Sequence, residues 1–294
     1  MYRIFSFLFL VLIFSNCNNA PKGGVTVKLR LQKGDRFEQV MHMQMKMQQP
    51  MMGQTVEMTN GIGFTYHFEV LDDSAGWKKL SSTITRVQVD LTGMGQSMHY
   101  DSDAAADSAA AADLMANMFG SLKGSTFYFT VNDEGKVGQV SGFDSLQQKM
   151  SSTVPDVSAQ KPFDEEGFRQ NLQQSFAAYP PHPVKVGENW SRDMDMLMEG
   201  MKVNSVNTFT LQIATASDAV IKLQSDLKSD GSSQVKGSEM SMTGRSDGTI
   251  TYDMKSGMPK TGTVRTTMNM KIMSEGKEVP MSMNMQTTIE GKKL

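Results

Sequence analysis

The sequence predicts an all-β protein, built predominantly from two related curved antiparallel units of half-barrel character with two accessory helices. Three observations predict it. Apolar and polar residues alternate with period two over most of the chain, short turn signals separate the alternating runs, and one stretch recurs without a gap in the second half. Period two places successive side chains on opposite faces of a strand, so alternation over several residues marks a sheet with one wet side.

The first alternating run is "VTVKLRL", where Val25, Val27, Leu29 and Leu31 share one face. "GFTYHFEV" follows with Phe64, Tyr66, Phe68 and Val70 inward, and then "STFYFTV" with Phe127, Phe129 and Val131 inward. The second half continues with "VNTFTLQI", "AVIKLQSDL", "TITYDM" and "TVRTTMNMKI". Between them stand "DDSAG", "NDEG", "SDGSS", "KSGMPK" and "SEGKE", rich in the residues that tolerate turn backbone.

Two segments depart from this period. Asp103 to Leu122 is Ala-rich, with Leu114, Met115 and Met118 on one helical face. "FDEEGFRQNLQQSFAAY" spaces Phe168, Leu172 and Phe176 four apart, with acidic residues where the helix dipole favours them. Pro180, Pro181 and Pro183 end this second helix. The repeat aligns "GDRFEQVMHMQM" from Gly34 with "GENWSRDMDMLM" from Gly187, so Phe37 matches Trp190 and Met41, Met43 and Met45 match Met194, Met196 and Met198. The organisation read from these signals is a signal segment over 1–17, a tether over 18–24 and a first β unit over 25–160. A linker helix and proline turn over 161–183 and a second β unit over 184–294 complete it.

The chain opens with Arg3 and an apolar run from Ile4 to Phe14. That run falls short of the roughly 20 residues a membrane span requires and suits the hydrophobic part of a secretory signal. Cys17, the only cysteine, stands at its end and has no intramolecular partner for a disulfide. The segment resembles a bacterial lipoprotein signal, although Phe14 and Asn16 depart from the residues usual before the lipidated cysteine. The resemblance implies lipidation at Cys17 and an extracytoplasmic protein anchored to a bacterial membrane, facing the periplasm or the cell surface. The succession of this signal, "KGDRF", "HYDSD", the Ala-rich stretch, "GSTFYFTVNDEGKV" and "AAYPPHPVKVGENW" resembles a family of extracytoplasmic bacterial lipoproteins of unknown function. More loosely, the architecture resembles the half-barrels of lipoprotein carriers.

Charge narrows the function classes. With 29 basic and 31 acidic residues, scattered rather than blocked, the net charge is −2 and no basic stripe points to nucleic acid. Phosphate loops, nucleophile elbows and helical zinc motifs are missing from the sequence. His42, His67, His99 and His182 are far apart and read as surface residues. Asp193 and Asp195 share the face opposite their methionines, and "DSD" at 101–103 lacks the remainder of a calcium loop. The expectation is therefore a non-enzyme without a cofactor, whose partners are the membrane, through its anchor, and a hydrophobic ligand or envelope protein.

Methionine is the compositional outlier, at 27 residues. "VMHMQMKMQQPMM" places Met41, Met43, Met45 and Met47 on one face, and the same alternation recurs at Met194, Met196 and Met198, at Met268 and Met270, and at Met281, Met283 and Met285. Three readings follow. The stripes are ordinary core, or an adaptable lining for apolar ligands such as an acyl chain, since Met has three rotatable bonds and a polarisable sulfur. Alternatively Met41, Met43 and Met45 offer soft thioether ligands to Cu(I) or Ag(I). A purely structural envelope protein is the reading without a ligand.

Overall fold

The computed structural model describes residues 24–51, 54–93, 96–104, 119–144, 165–198, 201–229, 233–235, 238–274 and 277–294. The signal segment with Cys17, most of the Ala-rich stretch and residues 145–164 lie outside the described residues. The first half contributes β1 (Arg36–Met51), β2 (Gln54–Ser74), β3 (Trp77–Gly93), β4 (Gln96–Asp101), β5 (Thr126–Asn132) and β6 (Val137–Ser141). Helix α1 (Glu165–Ser175) follows. The second half contributes β7 (Asn189–Met198), β8 (Met201–Ala214), β9 (Asp218–Ser229), β10 (Ser233–Val235), β11 (Ser238–Asp253), β12 (Pro259–Ser274) and β13 (Lys277–Lys293).

Among the described residues, thirteen strands join one antiparallel sheet, in the order β6-β5-β3-β2-β1-β13-β12-β11-β9-β8-β7, with β4 on β3 and β10 on β11. The fold class is the all-β one that alternation predicts. Its two units are fused edge to edge, because β1 pairs with β13 from Phe37↔Lys293 to Gln48↔Ser282. Charge pairing reinforces this seam: Lys292 reaches Glu38 at 2.8 Å and Lys293 reaches Asp35 at 2.5 Å.

The repeat is visible bond by bond. Gly34 and Gly187 share a left-handed φ of 89°, a conformation that a side chain disfavours. Each donates its N–H across the hairpin, to Val70 O at 2.8 Å and to Leu211 O at 2.7 Å. Phe37 pairs with Phe68, and Trp190 pairs with Phe209. The ladders then slip at matching places, between Val70 and Asp72 in one unit and between Leu211 and Ile213 in the other. Five strands of the first unit (β1, β2, β3, β5 and β6) correspond to β7, β8, β9, β11 and β12. β13 fills the place between β12 and β1. The matching place between β6 and β7 holds α1, which touches both edge strands.

One end of the sheet is packed shut. Phe37, Phe68, Leu80, Phe129, Phe209, Leu211, Ile221 and Tyr252 are buried in a single cluster there, and their shared face is called inner below. The run Val25 to Leu31 alternates in burial as its sequence predicts, yet it stands outside the sheet. It crosses the closed end in extended form, bridged to Val184 and hydrogen-bonded from Leu29 N to Asp133 O at 3.0 Å and from Arg30 N to Ser256 O at 2.8 Å. An extended chain buried on one side has the same period whether or not its neighbours form a ladder. The α1 residues lie where their spacing predicts. Phe168 packs 5.1 Å from Phe127 and 5.0 Å from Phe143 between ring centroids, and Phe176, just past the helix, packs on Phe129 and Tyr179.

Candidate functional site: a methionine band on the inner face

Along several strands the inner face changes character from the closed end outward. In β2 it runs from Phe68, Tyr66, Phe64 and Ile62 to Met58, and in β13 from Ile289 to Met285, Met283 and Met281. The outer cluster of buried residues is Met201, Val203, Leu227, Met242 and Met268, with Met240, Met270 and Met283 packed against it. Branched residues have higher β propensity and stiffer rotamers, so this partition replaces well-fixed surface with adaptable surface.

Register turns these stripes into transverse rows. One row reads Gly93, Met58, Met47, Met283, Met268, Gly244, Leu227, Ser205 and Met194 across β3, β2, β1, β13, β12, β11, β9, β8 and β7. Four methionines on adjacent strands thus form an unbroken line with a glycine at each end. The glycines have a steric role. A Cβ at Gly93 would stand 3.1 Å from Met58 Cγ, and one at Gly244 would stand 2.9 Å from Met268 Cγ. The end methionines therefore lie over the bare backbone beyond them, away from the central pair Met47 and Met283. That pair is half-buried.

A second row joins Met281, Met270 and Met242 farther from the closed end. A third pairs Met45 with Met285 and continues through Thr266, Ser246, Ser225 and Asn207. Its polar members satisfy one another in part: Ser246 and Thr266 hydroxyls are 2.8 Å apart, and Asn207 donates to Arg192 O at 3.2 Å. Ser205, one row out, bridges the Ser225 hydroxyl and Asn207 Oδ1 at 2.9 and 3.0 Å. These groups are buried, and mutual pairing offsets the loss of water.

The sequence candidates divide accordingly. Met41, Met43, Met45 and Met47 are half-buried on the inner face, with His42, Gln44, Lys46 and Gln48 outward. Register brings Met45 and Met47 beside Met283 and Met285, and carries the array on to Met268, Met270 and Met281. Met194, Met196 and Met198 lie on β7, beyond three intervening strands; the side chains of Met196 and Met198 lie outside the described residues. Met41 and Met43 face Phe64, Ile289, Ile62 and Thr287 across the ladders, so no second sulfur stands directly opposite either. Sequence reasoning missed Met58, Met201, Met240 and Met242. "EMSM" at 239–242 carries the alternating signal, whereas Met58 stands alone and only register assigns it to a row.

The outer face differs in chemistry. Gly61 and Gly63 leave a shallow hollow of about 280 Å³ there, whose polar lining includes His42, Gln44, Gln88, Asp90, Gln286 and Thr288. Three histidines sit beside carboxylates: His67 at 3.1 Å from Glu38, His99 at 2.6 Å from Asp90 and His182 at 3.8 Å from Glu188. The "DSD" acids are bound to cationic side chains. Asp101 receives Arg86 and Gln88, and Asp103 receives Lys123 at 2.6 Å. Hydrogen bonds from Arg86 hold the Asp101 carboxyl far below the usual carboxylate range, outweighing its partial burial. Among the described residues, no three His, Cys, Asp or Glu side chains converge to hold a metal, and no helix is long and apolar enough to cross a membrane.

Among solved structures, the chain has a slight similarity to the COG4313 outer membrane channel from Pseudomonas putida F1, at 7% identity over 90% of this chain and 97% of that one, with a TM-score of 0.25. Pseudomonas aeruginosa OccK5 (OpdH) gives 6% identity over 88% and 98%, with a TM-score of 0.22. Similarity this slight carries no argument about fold or function. No curated protein matches the chain. A family of unknown function, DUF6263, matches residues 75–259, from the β2–β3 turn to the start of β12 and thus well over half of the chain. The chain belongs to that family.

Proposed function

We propose that this is a non-catalytic, lipid-anchored protein of the bacterial cell envelope that binds an elongated apolar ligand, such as an acyl chain, along the inner-face methionine band. The observation that carries the reading is the row Met58–Met47–Met283–Met268, half-buried at its centre and bounded by Gly93 and Gly244. A packed core gains from side chains that fill one shape. A surface that accepts chains of variable shape gains from Met, whose soft side chain reshapes at small cost. The band offers thioether and methylene surface, whereas His67 with Glu38, His99 with Asp90 and Arg86 with Asp101 form pairs away from it. The anchor rests on Cys17, which follows closely on the apolar run Ile4 to Phe14.

The test is native mass spectrometry of the full chain extracted from its own envelope in mild detergent. Lipid retained by the wild type, and lost when Met47 and Met283 are replaced by Asn, supports the reading. A ligand-free protein that also ignores added fatty acids contradicts it. Cys17→Ala tests the anchor separately, since the substituted protein should leave the membrane fraction.

A further inference from the structure

Where β1 meets β13, register sets two methionine pairs side by side, Met45↔Met285 and Met47↔Met283. Directly opposite residues in an antiparallel ladder have Cβ atoms about 4.5–5.5 Å apart, and residues two apart on one strand are separated by about 7 Å. Four thioethers thus mark the corners of a small quadrilateral on one face of the sheet, all half-buried. Each arm has three rotatable bonds with which to turn its sulfur toward a common centre. The square lies on the seam that fuses the two β units.

We propose that Met45, Met47, Met283 and Met285 form a binding site for one soft monovalent cation, Cu(I) or Ag(I). Thioether sulfur is a soft donor that favours Cu(I) over hard cations. The square is also neutral. The cross-strand neighbours that flank it on its own rows are Asn60, Thr266, Met58 and Met268, so it presents no carboxylate to offset a divalent charge. The outward residues His42, Gln44, Lys46 and Gln286 are on the other side of the sheet and supply no donor. These residues differ from the single-strand stripe Met41, Met43 and Met45, whose members stand in line and face carbon and hydroxyl side chains across two of their three ladder positions.

The inference is separable from the apolar ligand, because an acyl chain contacts methyl and methylene surface whereas a cation requires the sulfur lone pair. Leucine keeps the first and removes the second, and such volume-conserving swaps usually cost less than about 1.5 kcal/mol each. The experiment titrates the full chain in mild detergent with Ag(I), which needs no reductant, and reads stoichiometry by native mass spectrometry and affinity by calorimetry. The expected result is one Ag(I) per chain, weakened at least tenfold in the Met47→Leu, Met283→Leu double variant and unchanged in Met194→Leu. Circular dichroism checks that each variant remains folded. No Ag(I) bound by the wild type, or equal binding by the double variant, overturns the proposal. Loss of Ag(I) together with retained fatty-acid binding leaves the proposed apolar site standing, so the two ideas fail separately.

Discussion

Gly135 and Gly257 occupy the same turn in the two β units, each with φ of 80° and each donating its N–H backward, to Asn132 O at 3.0 Å and to Asp253 O at 2.7 Å. The side chains that organise the turns also match. Asn132 Oδ1 accepts from the N–H groups of Glu134 and Lys136, and the Asp253 carboxylate accepts from those of Lys255 and Ser256. Both turns are crowded: a Cβ at Gly135 would stand 2.6 Å from Phe176 O, and one at Gly257 would stand 2.2 Å from Lys28 O.

Gly187 shares the left-handed backbone but stands in open space, and set against Gly257 it gives a graded prediction. Gly187→Ala meets nothing within 4 Å, so its cost is the left-handed backbone alone, about 1 kcal/mol. Gly257→Ala adds a backbone clash with the buried N-terminal segment and should cost at least about 2 kcal/mol. Urea denaturation of the two variants checks the order, and equal midpoints would sink this account of the closed end.

Tyr179 and Tyr252 are buried with ring centroids 5.5 Å apart, but only one hydroxyl is matched. Tyr179 donates to Gly257 O at 2.8 Å, whereas the Tyr252 hydroxyl is buried without a partner. Tyr179→Phe should therefore destabilise by about 1–2 kcal/mol, because it strands a carbonyl. Tyr252→Phe should be neutral or stabilising, since it removes an unpaired polar group from the core. Thermal melts of both variants distinguish the two outcomes.

Acid should loosen the fold through named carboxylates. Asp101 is depressed by Arg86, and Glu38 by Lys292 and His67. Burial alone would raise Asp35 and Asp133, but Lys293 with the Gln32 N–H, and Lys78 with Lys28, reverse the sign. Each folded pKa thus lies below its unfolded value of about 3.9 for Asp or 4.3 for Glu. Their stabilisation is present above that range and is lost as pH falls toward the folded values. Stability should hold from neutral pH to about pH 5 and decline below about pH 4. Asp101→Asn should remove about 1–2 kcal/mol at neutral pH, allowing for the exposure of Arg86, and flatten the acid decline. An unchanged pH profile would refute this assignment.

Alternation made the faces of β1, β2, β5, β8, β9 and β12 legible in the sequence, because burial on one side imposes period two directly. The Gly34–Gly187 repeat was legible because a left-handed turn narrows the choice of residue. The pairing of β1 with β13 was not, since parity states which face a residue takes and is silent about which strand lies beside it. The methionine rows belong to that second kind of information. Met47, Met58 and Met283 are far apart in sequence and become neighbours only through register. The extended run at Val25 misled for a related reason, because its burial has the period of a strand but its hydrogen-bond partners are turn carbonyls.

The central claim is that apolar ligands bind the inner face at the methionine band, and placing one charge on either face tests it most directly. Met45 and Gln44 are adjacent in sequence and face opposite sides of β1, as Met285 and Gln286 do on β13. The measurement is titration of the full chain with a fluorescent fatty acid, comparing the wild type with Met45→Asp, Met285→Asp, Gln44→Asp and Gln286→Asp. An ionised carboxylate in an apolar contact carries a penalty that a solvated one escapes. The two inner-face variants should therefore weaken binding at least tenfold, with the outer-face pair within twofold of the wild type. Equal weakening by all four, or no binding by the wild type, would contradict the account.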